Sequence, residues 1–174
     1  MLRVLKRIAA TGLLSEALPA AAEEWRSGEA LQAQILRVFQ RAVNIREVDA
    51  GSCNGCELEI QALENPYYNL QGAGIKFVAS PRHADLLLVT GPVSRHMIEA
   101  LRRTHAAMPD PKWVVAVGDC AACGGVFGAS YATVGAVANV IPVDVTVPGC
   151  PPTPTALLQG IFAAVHRDDR LGGR

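Results

Sequence analysis

From Ile45 onward the chain alternates short apolar runs with stretches of helical period. Residues 45–48, 75–79, 86–90, 113–117 and 143–147 are brief and rich in valine, isoleucine and leucine. Parallel strands covered on both faces read this way, because neither side of them meets water. Helical patterns lie between them, the first over roughly residues 57–64. A second covers residues 94–107, with Met97, Ile98 and Leu101 facing inward. A third covers residues 154–166, where Leu157, Leu158, Ile161, Phe162 and Val165 share a face. Thr153 stands where an N-cap belongs and Pro154 in the first turn, where its missing N–H costs nothing. This alternation predicts an α/β fold: an open, doubly wound, mostly parallel sheet of the flavodoxin-like type.

Ahead of the first strand the pattern changes. A capped helix is predicted from Ser27, with Leu31, Ile35, Val38, Phe39 and Ala42 on one face. Residues 1–27 are alanine-rich, contain Pro19 and hold no sustained period, so they read as an N-terminal extension to a single domain spanning residues 28–174. Half of the 174 residues are apolar, too many for a disordered chain.

Charge narrows the function. Sixteen lysines and arginines balance sixteen aspartates and glutamates, which argues against nucleic acid as a partner. Arg3, Lys6 and Arg7 precede an apolar run, but it is short and broken by Ser15 and Glu16. The Arg102-Arg103 pair is mid-chain, where no twin-arginine signal lies. No stretch reaches the roughly 20 apolar residues that span a bilayer. The expectation is a cytoplasmic protein with reduced thiols free to bind metal.

Those thiols are five, and each follows the carboxyl end of a predicted strand. Cys53 and Cys56 come after the first, Cys120 and Cys123 after the strand ending near Val117, and Cys150 after the strand ending near Val147. Open α/β sheets bind ligands at that edge, so three segments remote in sequence are predicted to converge on one point. The loops Asp49-Ala50-Gly51-Ser52-Cys53-Asn54-Gly55-Cys56, Gly118-Asp119-Cys120-Ala121-Ala122-Cys123-Gly124-Gly125 and Pro148-Gly149-Cys150-Pro151-Pro152 carry glycines that permit close backbone approach. Spacing alone leaves several chemistries open: paired zinc knuckles, a thioredoxin-type dithiol, an iron–sulfur cluster, or cysteines that merely pack. Zinc leaves Cys150 unexplained in a chain with core to spare. A dithiol at Cys53 and Cys56 leaves the other three without a role.

In these segments the chain resembles the small subunits of membrane-bound, energy-converting nickel–iron hydrogenases, including those of formate hydrogenlyase, and the homologous 20 kDa subunit of respiratory complex I. The resemblance is carried by Val48-Asp49-Ala50-Gly51-Ser52-Cys53-Asn54-Gly55-Cys56-Glu57-Leu58-Glu59, by Ser80-Pro81-Arg82-His83-Ala84-Asp85, by the loop from Gly118 to Gly125, and by the stretch from Ile141 to Thr153. It implies one [4Fe–4S] cluster ligated by Cys53, Cys56, Cys120 and Cys150. Cys123 is then spare, a small buried side chain beside the cluster. Complex I subunits typically have adjacent cysteines at the first motif, whereas Asn54-Gly55 separates them here, as in hydrogenases. The implied role is an electron relay between a hydrogenase large subunit, which carries the nickel–iron site, and a ferredoxin-like iron–sulfur subunit. Integral membrane subunits complete such a complex, which sits peripherally on the cytoplasmic face of the inner membrane. A quinone-reductase subunit of the complex I type and a structural zinc module are the competing readings. By the same resemblance Glu59 is singled out for proton transfer, although a helix N-terminus favours acidic residues such as Glu57 and Glu59 without any such role. Arg82 and His83 are expected on the same sheet edge as the cysteines, as tuning, contact or ion-pair residues.

Overall fold

The structure, a computed structural model, describes Lys6 and residues 42–166. The helix predicted from Ser27 and the N-terminal extension therefore lie outside the described residues, apart from Lys6 and Ala42. The elements run in the order β1 (Val43–Asp49), α1 (Gly55–Ala62), β2 (Ile75–Phe77), β3 (Leu86–Thr90), α2 (Met97–Ala107), β4 (Trp113–Val117), α3 (Gly118–Cys123), β5 (Val145–Val147) and α4 (Pro154–His166). The sheet order is β2-β1-β3-β4-β5 and every neighbouring pair is parallel. That is the flavodoxin-like order, in which the chain reverses direction across the sheet after β2.

The apolar runs are continuous because successive side chains enter two different cores. Along β3, Leu86 and Leu88 join Ile60, Leu63, Leu157 and Ile161 from the α1 and α4 side, whereas Leu87 and Val89 join Leu101, Met108 and Ala121 on the other face. In β4, Trp113, Val115 and Val117 go one way and Val114 and Ala116 the other. All ten residues of β3 and β4 are buried. Each large aliphatic side chain buried this way contributes about 1.5–3 kcal/mol.

Two carboxylates tie the amino ends of neighbouring strands. The Asp85 N–H donates to the Asn44 carbonyl at 2.8 Å, while the Asn44 N–H donates to Asp85 Oδ2 at 2.9 Å. Asp144 does the same on β4: its N–H donates to the Val114 carbonyl at 2.9 Å and its Oδ2 accepts from the Val114 N–H at 2.9 Å. At the carboxyl ends, Asp49 is level with Thr90, Thr90 with Val117, and Val117 with Val147. That row is the rim from which the cysteine loops depart. On its far flank, the Thr153 hydroxyl accepts from the Ala156 N–H at 3.3 Å and caps α4 as expected.

Candidate metal centre

The first loop is shaped by its own polar side chains. Asp49 Oδ1 accepts from the N–H groups of Gly51 and Ser52, both at 2.7 Å, which folds the backbone back as it leaves β1. Ser52 Oγ accepts from the Asn54 N–H at 3.1 Å and donates to Glu57 Oε1 at 2.6 Å. Asn54 adopts φ 71 ahead of α1, a left-handed conformation that asparagine tolerates better than most residues. Cys53 is thereby exposed on the loop and Cys56 half-buried on the first turn of α1.

The second and third loops close on the first at Gly118. With φ +83, Gly118 has no side chain where a Cβ would stand 2.7 Å from Cys56 Sγ and 3.3 Å from the Gly149 carbonyl oxygen. Three remote segments thus meet at one backbone position, as the strand ends predict. The Asp119 N–H donates to the Gly149 carbonyl at 2.8 Å and the Gly149 N–H donates to Asp119 Oδ1 at 2.8 Å, joining the loops after β4 and β5. Gly125, at φ +54, leaves equal room beside Cys120, where a Cβ would lie 2.7 Å from the sulfur.

The sulfurs feel one another. Burial pushes the Cys56 thiol up to about 12, and the charges of Glu57, Cys120, Cys53 and Cys150 add to the effect. The Cys120 thiol is raised chiefly by burial, then by Cys150, Cys53, Asp119 and Cys123. A set of thiols that mutually oppose ionisation suits a cationic centre, which supplies the positive charge that lets them bind as thiolates. Among the described residues no three His, Cys, Asp or Glu side chains close around a single ion.

Other expectations fare differently. Cys123 is exposed, not buried, and its thiol donates to the Asp119 carbonyl at 3.2 Å; α3 turns it outward where a buried packing role was expected. Arg82 and His83 sit in the turn Pro81–His83 leading into the amino end of β3, so they do not join the cysteines at the opposite rim. Glu59 is half-buried on α1. Its neighbour Glu57 is the more enclosed carboxylate, 7% exposed, with Oε1 bound to Ser52 and Oε2 without a partner among the described residues. Across α1 lies a cavity of about 390 Å³, lined by Glu47, Asp49, Gln61, Glu64 and Phe77 among others. Burial, followed by the charge of Glu57, raises the Glu47 carboxyl above its ordinary value.

The family described as NADH ubiquinone oxidoreductase, 20 Kd subunit, matches residues 53–164, a span that takes in all five cysteines. The chain belongs to that family. It is 45% identical over 135 residues to the probable membrane-bound hydrogenase subunit mbhJ of Pyrococcus furiosus, covering 78% of this chain and 81% of the relative. It is 51% identical over 108 residues to an NADH-quinone oxidoreductase subunit of Herpetosiphon aurantiacus, covering 62% of this chain and 60% of that one. A chain in the structure of the membrane-bound sulfane sulfur reductase, an archaeal respiratory membrane complex, superposes with a TM-score of 0.64 at 32% identity, covering 78% of this chain and 74% of that one. The 20 kDa-type subunits are thus components of membrane-bound oxidoreductases, and the flavodoxin-like sheet is their shared scaffold.

Proposed function

We propose that this chain holds one [4Fe–4S] cluster on Cys53, Cys56, Cys120 and Cys150 and serves as the electron-transfer subunit of a membrane-associated nickel–iron hydrogenase. The observation that carries the reading is the meeting of the Cys56 sulfur with Gly118 and Gly149, which gathers the cysteines of three loops at one rim. A cluster bound there takes up and returns one electron at a time. The chain's own residues supply the thiolates and the glycine openings beside them. A structural zinc leaves Cys150 without a role, in a chain whose sheet already buries a core on each face.

The partners on either side of this relay are a large subunit carrying the nickel–iron site and a ferredoxin-like iron–sulfur subunit. Val126, Phe127 and Tyr131, which follow Cys123 on an exposed stretch beside the rim, supply apolar surface for the large subunit to cover. Among the described residues no helix is long and apolar enough to cross a membrane. By likeness to the membrane-bound hydrogenase subunit, we assign attachment at the cytoplasmic face to integral membrane partners. Glu59 remains the residue assigned to proton transfer, half-buried three positions beyond Cys56. A complex I-type quinone reductase is the second reading, favoured by the 51% identity to the Herpetosiphon aurantiacus relative. The Cys53-Asn54-Gly55-Cys56 spacing and the hydrogenase relative favour the first.

The ligand assignment is tested by Cys120→Ser and Cys123→Ser in the reduced protein. Cys120→Ser abolishes the normal [4Fe–4S] paramagnetic resonance signal and Cys123→Ser leaves it nearly intact; the opposite pattern refutes the assignment. Hydrogen production by the purified native assembly separates the hydrogenase from the quinone reductase.

A further inference from the structure

We propose that Asp119 is a positioning residue that sets the distance between Cys120 and Cys150 by clamping the two loops that carry them. The inference rests on the reading of those cysteines as cluster ligands. Its basis is a reciprocal pair of bonds: the Asp119 N–H donates to the Gly149 carbonyl and the Gly149 N–H donates to Asp119 Oδ1, each at 2.8 Å. Asp119 immediately precedes Cys120 and Gly149 immediately precedes Cys150, so the clamp lies one residue from both sulfurs.

The same device appears twice elsewhere in the sheet, at Asp85 with Asn44 and at Asp144 with Val114. Those two sit at the amino ends of β3 and β5, remote from the cysteine rim, where they only prolong a strand pairing. The Asp119 clamp takes over where that pairing stops. The β4–β5 register ends at Val117 and Val147, and both chains then turn away through Gly118 at φ +83 and Gly149 at φ +133. Beyond that point β4 becomes α3 and offers β5 no strand partner. The carboxylate replaces the missing backbone acceptor, and the two loops leave the sheet at a fixed separation. A ligand pair held this way has less freedom to lose when the inorganic core binds.

Two substitutions separate the position of the acceptor from its charge. Asp119→Asn keeps an oxygen at the same place without the charge; Asp119→Glu keeps the charge and displaces the oxygen by a methylene. Asp144→Glu makes the same lesion at the far end of the same strands. The full-length chain, loaded anaerobically with iron and sulfide, is challenged with a ferrous chelator while its thermal midpoint and reduced-state resonance spectrum are recorded. Asp119→Glu is expected to release iron about tenfold faster than wild type and to broaden the resonance, while Asp119→Asn stays within about twofold. Asp144→Glu lowers the thermal midpoint but leaves release and spectrum near wild type. Equal acceleration by Asp119→Glu and Asp144→Glu reduces the clamp to fold stability and overturns the proposal. Fast release by Asp119→Asn with normal release by Asp119→Glu assigns the effect to charge and overturns it too. A wild-type chain that takes up no iron and sulfide instead overturns the cluster reading beneath it.

Discussion

Gly118 illustrates how the centre is built residue by residue, because the left-handed backbone and the empty Cβ position serve the same contact with Cys56. The cysteines and their order past the strand ends are readable from the amino acids, since strand ends and glycine-rich loops both leave local marks. The polar devices are not: Ser52 with Glu57 and Asp119 with Gly149 depend on side chains that become neighbours only after folding. The Asp49 turn is an exception, for an aspartate two residues before a glycine is a local turn signal. Glu47 gives the stability a dependence on pH. Its folded carboxyl titrates above the ordinary 4.5, raised first by burial and then by Glu57. The folded state then holds the proton more tightly than the unfolded one, so this group's contribution falls as pH rises from that ordinary value through the folded one, and the cost persists above it. Glu47→Gln is expected to raise the thermal midpoint at about pH 8, with the gain vanishing near pH 4. A gain equal at both pH values contradicts the assignment.

Among the elements, β3 and β4 match their predicted bounds because all their residues are buried, and an uninterrupted apolar run has sharp ends. The outer strands are shorter than read. β2 stops at Phe77 as the chain turns toward Pro81–His83, and β5 begins at Val145, with Asp144 tied to Val114 just ahead of it. α3 escapes a reading by period, since its six residues are under two turns and Cys120 and Cys123 dominate them. That is why Cys123 is found exposed when packing was expected. α2 offers the plainest energetic test, for Leu101 is its one fully enclosed side chain, with Met97 and Ile98 packed partly against the same core. Leu101→Ala is expected to cost about 2–5 kcal/mol in denaturant unfolding while leaving the resonance spectrum of the loaded protein unchanged. A loss well under that range shows α2 to be loosely docked.

For the whole molecule, the parallel order β2-β1-β3-β4-β5 turns separations in sequence into proximity in space. The register brings the carboxyl ends of β1, β3, β4 and β5 level, and three of those four ends carry cysteines. Balanced charge and a modest set of exposed apolar residues beside that rim suit a subunit whose chemistry is completed by its neighbours. The measurement that bears most directly on this account is the iron and acid-labile sulfide content of the full-length chain purified without oxygen, read together with its reduced-state paramagnetic resonance. About four of each per chain, with the signal of one [4Fe–4S] centre, is the predicted result. A single zinc ion per chain, or cysteines that remain freely alkylated with no iron bound, contradicts it.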